Sequence, residues 1–139
     1  MDPIIKSYYE QRIDYGINSL RESKILTLLG DELSSKRILD VGCASGYLTK
    51  KIKQEDNYVA GVDISESNIF NLHSSVDKIF VMDVENERWP QEFIDRKFDI
   101  IIAAEIIEHL FDQEIFLHKL KIILKPSGVC VITTPNFLV

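Results

Sequence analysis

The feature that most restricts the fold of this sequence is an alternation of short apolar runs with helical stretches, which begins near residue 36. Each run is nearly continuous in Val, Ile, Leu and Phe, as expected of strands that are covered by helices on both faces. Strand–helix–strand alternation predicts a parallel sheet with right-handed crossovers. The predicted strands are residues 37–41, 58–63, 78–82, 98–104 and 129–134.

One helix is predicted in detail after the fourth strand. Asp112 is a good N-cap, and Phe111 and Phe116 occupy the positions of a hydrophobic staple. Residues 125–128, Lys-Pro-Ser-Gly, then have the composition of a type I turn. One or two further amphipathic helices are predicted before residue 36, at residues 4–13 and 17–29. We therefore expect a helical lid over residues 1–35 and a core over residues 36–139, within a single domain.

Composition limits the classes of partner. The hydrophobic fraction of 45% and the charged fraction of 27% are typical of a soluble globular protein. No apolar run approaches the ~20 residues that span a bilayer, and no signal peptide is recognisable, so we expect a cytoplasmic protein without membrane contact. Cys43 and Cys130 lack metal-ligand spacing and are predicted to be reduced thiols. The net charge of −6 argues against generic nucleic-acid binding.

The residues with the clearest chemical implication follow the first two strands. The first strand leads into Gly42-Cys43-Ala44-Ser45-Gly46, where small residues allow a ligand to approach the backbone. A tight turn without a ligand is the alternative. Asp63 ends the second strand, 21 residues beyond Gly42. At this spacing a carboxylate can hold a ribose diol, although it could also cap the following helix.

Asp83 directly follows the third predicted strand. Its carboxylate could accept a hydrogen bond from an adenine amino group, or it could be a solvated strand-end residue. The two readings are equally supported by the sequence.

Four motifs in this order resemble the class I S-adenosylmethionine-dependent methyltransferases, over about residues 36–136. Residues 40–46 (Asp-Val-Gly-Cys-Ala-Ser-Gly) are similar to the glycine-rich motif of that family, and Val62-Asp63 is similar to its ribose-binding strand end. Residues 98–105 are similar to its fourth strand, and residues 124–129 to the turn into its fifth. The resemblance implies a Rossmann-like α/β fold, a doubly wound sheet of five parallel strands in the order 3-2-1-4-5, with N-terminal helices.

The resemblance also implies the roles of individual residues toward S-adenosylmethionine. Asp63 would hold the ribose, Asp83 would bind the adenine amino group, and Glu105 would lie near the reacting methyl. Ile64 and Val84 would flank the adenine. The methionine portion would contact the glycine-rich segment: Asp40, Gly42, Cys43, Ala44, Ser45 and Gly46. Tyr8 and Tyr9 of the lid could contact cofactor or substrate, or could simply pack.

Two departures from the family pattern stand out. Ala44 replaces the central glycine, which is acceptable if its φ angle is negative. The family sheet usually continues with a helix and an antiparallel hairpin, and this hairpin is expected to be missing here. The fifth strand would then be an exposed apolar edge, covered by self-association or by a partner chain.

The implied function is methyl transfer to a hydroxyl or amine of a small molecule or sugar, in which His109 is the candidate base. Several alternatives stay open. Glu105, Glu108 and His109 would share one helical face and could hold a divalent cation, as in metal-dependent RNA 2′-O-methyltransferases. A non-catalytic cofactor-binding subunit is a second alternative. A nicotinamide-dependent oxidoreductase is disfavoured, because Ala44 and Tyr47 stand where its fingerprint needs glycine.

Overall fold

The computed structural model describes residues 19–135, whose strands form one parallel sheet. The strand order is β3-β2-β1-β4-β5, and the predicted order is confirmed. The order of connection reverses between β1 and β4, so the carboxyl ends of these two strands border the crevice where open α/β sheets bind ligands. The strands are β1 Arg37–Val41, β2 Tyr58–Asp63, β3 Lys78–Val81, β4 Phe98–Ala104 and β5 Leu124–Thr133.

Five α-helices accompany the sheet within the described residues. They are α1 Ser19–Leu29, α2 Tyr47–Ile52, α3 Glu66–Ile69, α4 Gln91–Asp95 and α5 Gln113–Ile123, with single 3-10 turns at Phe70–Leu72 and Ile107–His109. Helix α1 corresponds to the second predicted N-terminal helix. The first one, with Tyr8 and Tyr9, lies outside the described residues, and the division at residue 35 stays a prediction. Within residues 19–135 no helix is long and apolar enough to cross a bilayer.

The sheet is covered on both faces, as the apolar runs predicted. On one face, strand side chains pack against α4 and α5, where the ring of Phe93 meets that of Phe98 edge to face at 4.9 Å between centroids. On the other face, Ile25 of α1 and Ile52 of α2 are buried against the alternate strand residues. Successive residues of a strand therefore belong to opposite halves of the core.

Helix α5 begins as predicted but without the predicted staple. The Asp112 side chain accepts a hydrogen bond from the Ile115 N–H at 2.9 Å, which confirms the N-cap. The staple is wrong, because Phe111 is 82% exposed while Phe116 is fully buried. The Phe111 N–H instead donates to the carboxylate of Glu85, and its ring is left in solvent.

Strand β5 starts earlier than the sequence indicated. Leu124 pairs with Phe98 and Val129 pairs with Ile100, so residues 125–128 form an irregularity inside the strand instead of a separate turn before it. Lys125 fixes this irregularity through an ion pair with Asp99 at 2.8 Å. Strand β5 is one edge of the sheet that residues 19–135 form.

Candidate functional site

The turn after β1 adopts the conformation that its glycines permit. Gly42 and Gly46 have φ angles of 75° and 77°, in the left-handed region. The N–H groups of Gly42 and Cys43 donate to the carbonyl of Val62, at 2.8 and 3.0 Å. These bonds hold the turn against the end of β2, so its backbone is fixed at the carboxyl edge of the sheet.

Close packing makes glycine necessary at position 46. A Cβ atom there would lie 2.0 Å from the Cδ2 atom of Leu72. The thiol of Cys43 is also packed inward, since a Cβ on Gly61 would lie 2.9 Å from its sulfur. Burial raises the pKa of the Cys43 thiol well above its usual value. Cys43 therefore offers a ligand its backbone and not a reactive thiolate.

Ala44 is strained. Its φ angle is +46°, so the expectation of a negative angle is wrong. The Ala44 N–H donates to the Oδ2 atom of Asp63 at 2.8 Å, and this bond helps to hold the left-handed conformation. Left-handed alanine costs about 1 kcal/mol. Such strain occurs at functional sites, where the surrounding structure imposes it.

Asp40 is a buried carboxyl directly beneath this turn. Its side chain accepts a hydrogen bond from the Thr49 hydroxyl at 2.7 Å and is 3% exposed. Burial raises the pKa of Asp40 to about 6; the Thr49 bond opposes the rise and nearby Asp63 adds to it. The charge of Asp40 is therefore costly in the described structure and would be stabilised by a nearby cation.

Asp63 lies at the end of the neighbouring strand, one residue beyond the pairing of Val41 with Val62. Its two oxygens accept hydrogen bonds from the N–H groups of Ala44 and Ser65, at 2.8 and 2.9 Å. Ser65, and not Asp63, is the N-cap of α3. Burial raises the pKa of Asp63 although these N–H groups lower it. Each oxygen keeps a further lone pair that could bind a diol.

The segment after β4 does not form the helix that was expected to carry Glu105, Glu108 and His109 on one face. Glu105 has a φ angle of +54°, and its N–H donates to the Thr133 carbonyl at 2.9 Å. Only Ile107–His109 form a turn of 3-10 helix. Glu105, Glu108 and His109 therefore do not share a helical face, and among residues 19–135 no three potential ligands are close enough to hold a metal ion. The His109 imidazole lies 3.8 Å from the Glu108 carboxylate.

The carboxylate of Asp83 is hydrogen-bonded to residues of its own loop. Its carboxylate accepts hydrogen bonds from the Glu85 N–H at 3.0 Å and from the Asn86 side chain at 2.8 Å. The pKa of Asp83 is lowered overall. Partial burial alone would raise it, but the hydrogen bonds to the carboxylate together have the larger effect. The side chain of Val84 is buried in the core, and Ile64 is partly exposed.

Comparison with known proteins decides the family. A family model described as "Methyltransferase domain" matches residues 9–138, which is most of the chain. The chain belongs to this methyltransferase domain family.

Two curated relatives of this methyltransferase-family chain are ubiquinone biosynthesis O-methyltransferases. The ubiquinone biosynthesis O-methyltransferase of Bradyrhizobium diazoefficiens is 36% identical over 106 residues, which are 75% of this chain and 42% of the relative. The mitochondrial ubiquinone biosynthesis O-methyltransferase of Homo sapiens is 35% identical over 113 residues, 77% of this chain and 31% of the relative. The chain thus spans less than half the length of these relatives.

Solved structures share its fold. The N-methyltransferase NodS of Bradyrhizobium japonicum, in complex with S-adenosyl-L-homocysteine, aligns with a TM-score of 0.73 at 17% identity, over 93% of this chain and 70% of that one. Magnesium protoporphyrin IX methyltransferase of Synechocystis, with bound S-adenosylmethionine, aligns with a TM-score of 0.69 at 16% identity, over 89% of this chain and 73% of that one.

Three residues that the structure brings to the candidate site were missed by sequence reasoning. Arg21 of α1 forms an ion pair with Glu105 at 2.6 Å, Glu22 is buried beside it, and Thr49 bonds Asp40. Thr49 could have been suspected, because it is a hydroxyl residue on the first turns of the helix that follows the glycine-rich segment. No local pattern points to Arg21 or Glu22, since α1 reaches the site only through tertiary packing.

Proposed function

We propose that this chain binds S-adenosylmethionine and takes part in methyl transfer to a hydroxyl group of a small molecule. The observation that carries the proposal is the position of Asp40 and Asp63 near the carboxyl ends of two paired strands, beside a left-handed turn. Such a site offers carboxylates to a ribose diol and to an ammonium group, together with a backbone that a ligand can approach. The O-methyltransferase names of the curated relatives favour a hydroxyl over an amine acceptor.

The residues present fit the chemistry of this cofactor. Its sulfonium and the ammonium group of its tail carry positive charge, which the buried carboxylate of Asp40 would stabilise. Asp63 keeps lone pairs for a diol beside the N–H groups it already binds. Arg21 is a cation at the same edge and could interact with the carboxylate of the tail.

The remaining assignments follow the resemblance. Gly42, Cys43, Ala44, Ser45 and Gly46 would contact the methionine portion through their backbone. Ile64 would lie along the adenine. Val84 has little surface left for that contact. Asp83 would need to exchange hydrogen bonds with its loop to reach the adenine amino group.

The bound sulfonium would supply an activated methyl group for an in-line displacement. The protein then contributes chiefly by holding acceptor and cofactor in line. Glu105 lies at the carboxyl end of β4, where the acceptor would approach. His109 follows it in the chain and is our candidate for removing the hydroxyl proton.

Isothermal titration with S-adenosylhomocysteine and with NAD⁺ tests the cofactor class. We expect binding of the first compound and not of the second. The Asp63→Asn variant should weaken S-adenosylhomocysteine binding about tenfold or more, because it removes a charged acceptor from the diol. The Asp31→Asn variant makes the same change at an exposed position and should bind as the wild type does. Wild-type chain that binds NAD⁺, or neither compound, would refute the proposal.

A radiolabelled methyl-transfer assay tests activity and acceptor class. Phenols, aliphatic alcohols, sugars and primary amines would each be offered with labelled S-adenosylmethionine. We expect label to be transferred to hydroxyl compounds. Binding of the cofactor without transfer to any acceptor would instead support the alternative of a non-catalytic cofactor-binding subunit.

A further inference from the structure

Glu22 is buried without a full set of hydrogen bonds. The residue is 3% exposed, and within residues 19–135 its Oε2 atom has no hydrogen-bond partner. Its Oε1 atom meets the Arg21 guanidinium only at 3.5 Å. A buried carboxylate oxygen without a partner is rare, because it loses its hydrogen bonds to water and gains none in return. The helix α1 therefore brings into the protein an acceptor that the described contacts leave unused.

The Glu22 carboxylate lies in the proposed cofactor site. It is close enough to Asp40 to raise the pKa of that buried carboxyl, and Arg21 is close enough to lower it. Arg21 in turn forms its short ion pair with Glu105 at the end of β4. Glu22 and Asp40 thus come from α1 and β1 to one place at the carboxyl edge of the sheet.

Among residues 19–135, acidic side chains outnumber basic ones at this place. Three carboxyl groups, those of Glu22, Asp40 and Glu105, lie around the guanidinium of Arg21, which meets Glu105 at 2.6 Å and Glu22 at 3.5 Å and is close enough to Asp40 to lower its pKa. Like charges that are buried together are unfavourable. A ligand that brings one positive charge and N–H donors would satisfy the Oε2 atom of Glu22 and reduce this repulsion.

We propose that Glu22 accepts a hydrogen bond from the α-ammonium group of the bound amino-acid tail and thereby selects ligands that carry this group. The proposal rests on the cofactor class proposed above. The ammonium is indicated over the sulfonium because a sulfonium has no hydrogen to donate to Oε2. An uncharged hydroxyl could donate a hydrogen, but it would leave the excess negative charge in place.

A matched pair of ligands isolates the ammonium group. The first is S-adenosylhomocysteine, and the second is its deaminated analogue, in which hydrogen replaces the α-ammonium and the carboxylate is retained. Isothermal titration would measure both with the wild type, with Glu22→Gln and with Glu32→Gln. Glu32 is the control, since its side chain is 79% exposed.

We expect the wild type to prefer S-adenosylhomocysteine over the deaminated analogue by about tenfold or more. Glu22→Gln should weaken S-adenosylhomocysteine binding by about tenfold and leave the analogue unchanged or bound more tightly, so that the preference is lost. Glu32→Gln should keep the preference. Circular dichroism would establish that the variants are folded, and Glu22→Met, of similar length, would replace a glutamine variant that does not fold.

Two different results would refute different parts of this proposal. In the first, the wild type binds S-adenosylhomocysteine, and the Glu22 variant binds both ligands equally more weakly or binds both as the wild type does. The role of Glu22 is then refuted, while the cofactor class stands. In the second, the wild type binds neither ligand. The cofactor class is then refuted, and the role of Glu22 is refuted with it.

Discussion

Replacing Asp40 by asparagine should stabilise the protein in a pH-dependent manner. Asp40 is buried, and its pKa is raised to about 6 from an ordinary value of 3.8. The folded state therefore holds the Asp40 proton more tightly than the unfolded state does. The stability that this proton contributes is fully present below pH 3.8 and is lost as the pH rises through about 6.

The magnitude follows from the two pKa values. Their difference corresponds to about 3 kcal/mol of unfolding free energy, lost in full above the higher value. About 2 kcal/mol of this loss falls between pH 4.5 and pH 7.5. Asparagine carries no charge and can still accept the hydrogen bond from Thr49. The unfolding free energy of the Asp40→Asn variant, relative to wild type, should thus increase by about 2 kcal/mol over this range.

Urea denaturation followed by circular dichroism at pH 4.5, 6.0 and 7.5 would measure this difference. Comparing variant with wild type at each pH cancels the titration of groups that the two proteins share. The groups acting on Asp40 are Thr49, Asp63, Arg21 and Glu22, and all are retained in the variant. A difference that stays constant within about 0.5 kcal/mol over this range would refute the argument that burial controls Asp40.

Four further substitutions test glycine positions, backbone strain and a helix cap. Gly46→Ala should abolish folding or cost several kcal/mol, because its Cβ would lie 2.0 Å from Leu72 at a φ of +77°. Gly30→Ala, at a φ of +54° and with no atom closer than 4.0 Å, should cost only about 1 kcal/mol, and equal losses for these two variants in urea denaturation would contradict the packing argument. Ala44→Gly should raise the unfolding free energy by about 0.5–1 kcal/mol by relieving the φ of +46°, and a lower denaturation midpoint would show that no strain is present. Asp112→Ala should lower the unfolding free energy by about 1 kcal/mol, because it removes the N-cap of α5. Unchanged stability would mean that the cap does not contribute to folding.

Most of the sheet could be predicted from the sequence. Strands β1, β2 and β4 match their predicted bounds, and the strand order is confirmed. Strands buried on both faces must be apolar along their whole length, so each is visible as a continuous run. The exception is β5, where residues 125–128 look like a turn but stay within the strand, held by the ion pair between Lys125 and Asp99. That contact joins residues far apart in sequence, and no local pattern reveals it.

The sequence by itself determined where β1 and β2 end, and so placed Asp40 and Asp63 at one edge of the sheet. Only the tertiary structure decided their electrostatic environment. Burial beneath the turn raises the pKa of Asp40, and the packing of α1 brings Arg21 and Glu22 to the same edge. Strand ends follow from local periodicity, which a sequence displays directly. The charge that surrounds a group depends on which distant segments pack against it, and that is fixed only when the whole chain folds.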